Sequence, residues 1–309
     1  MDGTAKALAQ TALAGALWGT SFPVVAFGIG EGLDPLSFVF FRFAAAAPLM
    51  VAASALLGKR VWPLLRSRGV WVVGGLNAVG FFCQFVGQAH TSASLAALLV
   101  NLSVVLAAGG GVLFLGERLG VAKAAGVALA FGGAFLLTTE GDPGSVGGGE
   151  LVGVALYLVA AVSWAGYIVY SKRETDRLGW DPVAVSACIV LVTALLALPL
   201  ALAGGLRWPS GTEALAVVAY TSVFNTALPF VLYQSGLKRL PAGTSAVVLA
   251  VEIVVAVAIS VAFLGESLGT AGAVGAVAVL VSILLVSRDQ LGSKSLSVRE
   301  TDAVGVREP

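Results

Sequence analysis

The chain is a succession of apolar runs, each about 18 to 24 residues long and divided by short polar breaks, and about 20 residues is what a helix needs to cross a ~30 Å hydrocarbon core. The runs fall near 7–29, 35–57, 70–89, 93–115, 121–138, 151–171, 182–204, 213–236, 242–264 and 269–287. Hydrophobic residues make up 58% of the chain and charged residues 11%, against roughly 25% charged in an ordinary soluble domain. A soluble fold could not hide that much apolar surface. The first run follows Lys6 and resembles a secretory signal, but it is too long for one and is read as a retained helix. Cys83 and Cys188 both stand inside apolar runs, so they form no disulfide framework and read as packing residues.

Basic residues are retained on the cytoplasmic side of a membrane, which gives the orientation. With the N-terminus inside, all of the 18 basic residues except Arg207, outside, and Arg42, within a run, fall on the cytoplasmic side. The expected fold is therefore an all-α membrane protein of ten transmembrane helices, N-in and C-in, in the cytoplasmic membrane.

The sequence also repeats itself. FLGERLG at 114–120 recurs as FLGESLG at 263–269, with Glu117 and Glu266 149 residues apart. Asp34-Pro35 opens the second run and Asp181-Pro182 the seventh, while Trp18 corresponds to Trp164. Five helices per half is an odd number, so the halves enter the membrane from opposite faces. The expected organisation is a first five-helix repeat over 1–138, a glycine-rich extracytoplasmic linker over 139–150, a second repeat over 151–287 and a disordered cytoplasmic tail over 288–309. Two inverted repeats meeting at the midplane are a recurrent transporter architecture, because exchanging their conformations gives alternating access.

LWGTSF (17–22), FFRFAAAAP (40–48), SWAGY (163–167), YQSGLKRLPAGTSAVV (233–248) and the paired LGE motifs at Glu117 and Glu266 resemble the EamA-type branch of the drug/metabolite transporter superfamily. That resemblance implies a carrier, not an enzyme, with a central cavity between its halves and a cargo among amino acids, nucleosides, drugs and other metabolites. One departure stands out. The family's proline about twelve residues before each LGE glycine is replaced by Val104 and Ile253, so kinks expected there are absent or supplied by glycines such as 109–111.

An ionisable group at the centre of a span costs ~2.5 to 3.5 kcal/mol on insertion scales unless it faces a cavity or a partner. Arg42 and Glu252 are the deep ones, and their repeat counterparts are Ile189 and Ser103, so each half supplies a charge that the other lacks. They are expected to approach one another or to share a ligand. Arginine suits a carboxylate on the cargo. Glu252 would bind a cargo amine or carry a coupling proton. Pockets combine apolar walls with a few placed polar groups, which adds Trp18, Trp164, Tyr167, Tyr233, Asn77, Gln84, Asn101, Asn225 and Gln234 as candidate cargo contacts. Each of these also has an ordinary role as glue between helices. Trp62, Trp71, Trp180 and Trp208 stand near run ends, where anchoring at the interface is the default.

No HExxH or Walker sequence occurs, and the lone His90 cannot build a metal site. The chain calls for no cofactor and no nucleic acid; its partners are the bilayer and a small solute. A channel or facilitator and a non-transporting receptor stay open as alternatives.

The topology predicts labelling by a membrane-impermeant thiol reagent. In a background without Cys83 and Cys188, Gly147→Cys and Gly211→Cys react in intact cells, and Ser67→Cys reacts after permeabilisation. Labelling of Ser67→Cys in intact cells overturns the orientation.

Overall fold

The structure is a computed structural model that describes residues 3–88, 90, 93–142, 144, 151–264 and 268–304. Among these residues there are helices and no strands. In chain order they are α1 (Gly3–Gly19), α2 (Ser21–Gly30), α3 (Pro35–Leu56), the short α4 (Trp62–Leu65), α5 (Arg68–Gln88), α6 (Ala93–Leu115) and α7 (Val121–Thr139). The second half has α8 (Leu151–Leu178), α9 (Pro182–Ala203), α10 (Thr212–Ser222), a π-helical turn (Val223–Ala227), α11 (Leu228–Leu237), α12 (Ala242–Leu249), α13 (Val251–Leu264) and α14 (Thr270–Val304). Among the described residues eight helical stretches are long and apolar enough to cross a membrane, and two shorter apolar helices accompany them, Leu99–Leu115 and Val121–Leu137. The protein is a multi-pass, all-helical membrane protein with the organisation of two repeats.

The repeated Asp-Pro pairs act as helix starts. Asp34 Oδ2 accepts from the backbone N–H of Ser37 at 2.9 Å, and Asp181 Oδ1 accepts from those of Val183 and Ala184 at 3.1 and 3.2 Å. In both, the following proline takes the first helical position, where its missing N–H costs nothing. Lys59 Nζ lies 2.9 Å from Asp181 Oδ2. Partial burial pushes against ionisation of Asp181, but the bond from Lys59 and the two amides prevail and hold its carboxyl below the usual carboxylate range.

Packing follows the repeat. α3 lies on α9 and α7 on α14. α5 against α8 is matched by α11 against α1, and α6 against α8 by α12 and α13 against α1. α6 meets α12 between the halves. Two carboxylates fasten helix starts in the opposite half. Glu117, just beyond α6, accepts from the N–H groups of Ala242 and Gly243 at the start of α12 and pairs with Lys123 Nζ at 2.9 Å. Glu140, in the left-handed backbone conformation at the end of α7, accepts from the N–H groups of Gly269 and Gly272, both at 3.1 Å, at the start of α14. The first amides of a helix have no intrahelical partner and carry partial positive charge, so each carboxylate satisfies them. Glu117 therefore both caps a helix in the other half and forms an ion pair.

Several sequence expectations are corrected. The polar stretch after 171 is not a break: α8 continues to Leu178, carried by Lys172 paired with Asp176 at 2.8 Å and Arg177 with Glu174 at 2.7 Å. Such i,i+3 and i,i+4 pairs support a helix, and Gly179 at φ +63° ends it. α14 likewise runs on past the expected run end at 287 to Val304, since propagating a helix that already exists is far easier than starting one. Trp180 is buried in the core, whereas Trp62 and Trp208 are exposed as interface anchors would be. α6 passes Val104 unbroken, as the missing proline predicts, yet the ninth run breaks at Ala250 without one. Residues 143 and 145–150 of the expected linker over 139–150, and Glu266, lie outside the described residues.

Small residues let α7 and α14 approach closely. A Cβ on Gly133 would meet the Gly275 carbonyl oxygen at 2.8 Å and the Val279 nitrogen at 2.9 Å, and a Cβ on Gly275 would collide with the backbone of Gly133 and Leu137. Close approach of this kind drives helix association in lipid. Gly275→Leu is expected to destabilise the protein by about 1 to 3 kcal/mol, the usual cost of overpacking, read as a lower unfolding temperature in detergent. An unchanged temperature would show that the two helices separate without penalty.

Candidate functional site

Prolines inside apolar runs prepare the site. Pro229 has no N–H to give the carbonyl four residues back, that of Asn225, and the chain there opens into the π-helical turn Val223–Ala227. Pro23 does the same to the carbonyl of Gly19, and the first run breaks at Thr20 between α1 and α2. In hydrocarbon a freed carbonyl must find a partner within the protein. The Asn225 carbonyl finds two: Trp18 Nε1 donates to it at 3.0 Å and Arg42 Nη2 at 2.6 Å.

Arg42 is thereby fixed. Its Nε donates to Thr226 Oγ1 at 2.7 Å and its Nη1 to Ser21 Oγ at 3.3 Å, and its guanidinium lies 5.0 Å from the Phe81 ring centre and 5.7 Å from that of Phe43. The side chain is 1% exposed. Aromatic faces and charge-assisted hydrogen bonds together compensate a buried cation. Glu252 stands two residues beyond the break at Ala250, at the start of α13. It is half-buried and makes no hydrogen bond or ion pair among the described residues.

Both charges line one cavity of ≈ 140 Å³ between the halves, together with Trp18, Gln84, Asn101, Trp164, Tyr167 and Tyr233. Arg42 and Glu252 form no ion pair with each other; their charges act on one another across the cavity. Direct pairing, one form of the sequence expectation, is not what this structure has. The aromatic wall is continuous: Phe81 meets Trp164 edge-on at 4.8 Å, Trp164 meets Tyr167 at 6.0 Å, Tyr167 stacks on Tyr233 at 6.0 Å, and Tyr233 meets Trp18 at 5.6 Å. The Tyr233 hydroxyl is buried and has no partner among the described residues.

Three candidate residues are not cavity walls. Asn77 donates from Nδ2 to Thr193 Oγ1 at 2.8 Å, which joins α5 to α9. Gln234 lies behind the wall, donating to Tyr167 Oη and Ser171 Oγ, both at 3.0 Å. Asn225 holds the break in the first run, donating from Nδ2 to the Leu17 carbonyl and to Thr20 Oγ1. Buried amides in a low dielectric satisfy their hydrogen-bonding groups first with what the helices offer. Sequence reasoning missed Phe81, Phe230, Ser21, Phe22 and Ser103, which also line the cavity. The phenylalanines carry no signal among so many apolar residues, but Pro23 and Pro229 would have located the helix breaks beside which Ser21 and Phe230 stand.

Comparison with known proteins supplies the context. The EamA-like transporter family matches residues 5–139 and 151–288, the two halves in turn. A protein of Streptantibioticus cattleyicolor described as a probable terminal-alkyne amino-acid exporter is 27% identical over 307 residues, covering 98% of this chain and 99% of that protein. The threonine/homoserine exporter RhtA of Salmonella typhimurium is 33% identical over 136 residues, 43% of each chain. A solved crystal structure superposes with a TM-score of 0.76 over 91% of this chain and 96% of its own at 23% identity, which shows the fold alone.

The two charges are expected to differ in what they hold up. Arg42→Leu removes one of the two donors to the Asn225 carbonyl and the bonds to Thr226 and Ser21, and should cost about 1.5 to 3 kcal/mol, the range for hydrogen bonds to a charged group. Glu252→Gln removes no bond within the protein and should stay within about 0.5 kcal/mol of the parent. Thermal unfolding in detergent reads both, and equal losses would contradict the assignment of Glu252 as unpaired.

Proposed function

Since the chain belongs to the EamA-like transporter family, and so is a membrane transporter and not an enzyme, we propose that it exports a small amino-acid-like solute across the cytoplasmic membrane by alternating access. In this reading ten helices span the membrane as two inverted repeats, 1–138 and 151–287, N-in and C-in. The observation that carries it is the unpaired Glu252 carboxylate, beside a helix break, facing a cavity walled by aromatic rings. A carboxylate without a protein partner suits a cationic amine on the cargo. The rings of Trp18, Trp164, Tyr167 and Tyr233 suit both that amine and an apolar side group. Arg42 has N–H groups beyond those spent on Thr226, Ser21 and Asn225, and these would meet the cargo carboxylate. The orphaned Tyr233 hydroxyl, Gln84 and Asn101 complete the polar contacts. That relatives are named as exporters of amino acids supports this cargo class.

Alternating access requires one face to close while the other opens. Under the N-in orientation Glu117 holds the cytoplasmic ends of α6 and α12 together, and Glu140 fastens α7 to α14 on the outer side. Inward opening then means releasing the Glu117 contact. Glu252 takes a coupling proton when the amine leaves, which links export to the proton gradient.

Purified protein in proteoliposomes should show saturable counterflow of labelled threonine or another neutral amino acid. Glu252→Gln should lose acceleration by a pH gradient while keeping an intact fold. Gradient-driven accumulation surviving in that variant removes the proton role, and linear, non-saturable flux without counterflow favours a channel.

A further inference from the structure

The outer face of α8, turned away from the transport cavity, forms the floor of a second groove. Val162, Ala165, Gly166, Val169, Tyr170 and Arg173 follow one another along this face at helical spacing. Leu76 of α5 makes one wall and Leu106, Gly110 and Phe114 of α6 the other. α5 and α6 each pack on α8 but scarcely on one another, so the groove is a true gap between helices. Its floor is low because Ala165 and Gly166 are small, and Phe114 at its edge is 73% exposed.

We infer that this groove holds one acyl chain of an anionic phospholipid, with Arg173 binding the phosphate of its headgroup. Length supports it: from Val162 to Arg173 the helix rises about 16 Å at 1.5 Å per residue. One leaflet contributes about half of the ~30 Å hydrocarbon core, so the groove runs from the bilayer centre to the headgroup level, and Arg173 sits where a phosphate would be. Charge supports it too. On the same turn-and-a-half of helix, Lys172 is paired with Asp176 and Arg177 with Glu174, whereas Arg173 is exposed and has no carboxylate partner among the described residues. A basic residue at the mouth of a gap between spanning helices is the arrangement that recognises acidic lipid headgroups. The lipid would sit on the back of the helix that carries Trp164, Tyr167 and Ile168 into the transport cavity. Occupancy of the groove would thus stiffen one wall of that cavity.

Native mass spectrometry of the full chain, with equimolar dioleoyl phosphatidylglycerol and dioleoyl phosphatidylcholine in the micelle, tests this. The parent should retain phosphatidylglycerol in preference by about fivefold, the ratio that one basic residue confers at roughly 1 kcal/mol. Arg173→Gln, on an exposed position, should abolish the preference and Arg173→Lys should keep most of it. Gly166→Leu should lower retention of both lipids, because a Cβ there meets the Leu76 methyls at 3.5 Å, ordinary contact, and a longer side chain then fills the floor. Equal retention of the two lipids by the parent would overturn the proposal, as would a preference that survives Arg173→Gln. So would full displacement of the lipid by soluble glycerol phosphate, which would make Arg173 a phosphate site with no need of the groove.

Discussion

Hydrocarbon offers a backbone no hydrogen-bond partners, and the rest of this structure answers to that constraint. Unbroken helices satisfy it by themselves, and most of the chain takes that solution. The exceptions are where the chain departs from it: the break at Thr20, the π-helical turn at Val223–Ala227 and the break at Ala250. They gather around one cavity, where non-helical backbone is tolerated because protein side chains meet it. Arg42 is the clearest case. Its charge would be costly in a span, but it is spent on a carbonyl that Pro229 has released and on two hydroxyls, so the arginine and the broken helix each make the other tolerable.

The asymmetry of the two halves then has a physical meaning. A strict repeat would place like groups at Arg42 and Ile189, and at Glu252 and Ser103. Instead one half contributes a cation tied to backbone and the other a carboxylate left untied. On the proposed mechanism, a frame of paired helix contacts would supply two alternative closures, and the unpaired group inside it would supply something for a solute to bind. A ligand shifts such an equilibrium only by differing in affinity for the two forms, and in the proposed cycle an untied carboxylate in a cavity between the halves is placed to differ in that way.

The helical class, the approximate places of the runs and the doubled motifs were legible because lipid demands long apolar runs and a repeat writes its motifs twice. Asp34 and Asp181 were read as run openings, and both prove to be caps. Arg42, Glu252 and the aromatic wall were legible from charge and size at depth. What was not legible is which buried amides face inward. Asn77, Asn225 and Gln234 look like Gln84 and Asn101 in the sequence, and the rotation of each helix about its axis decides between glue and wall. The extension of α8 past 171 was masked by its charges, which signal a loop when counted singly and a helix when paired at i,i+3 and i,i+4.

The central claim is that this cavity is reached from each side of the membrane in turn. The direct measurement is the reactivity of Ser103→Cys, on the cavity wall, in a variant lacking Cys83 and Cys188, towards an impermeant thiol reagent in right-side-out and inside-out vesicles. The account predicts labelling from both sides, slowed from both by a transported amino acid. Labelling from one side alone, indifferent to any solute, would contradict it.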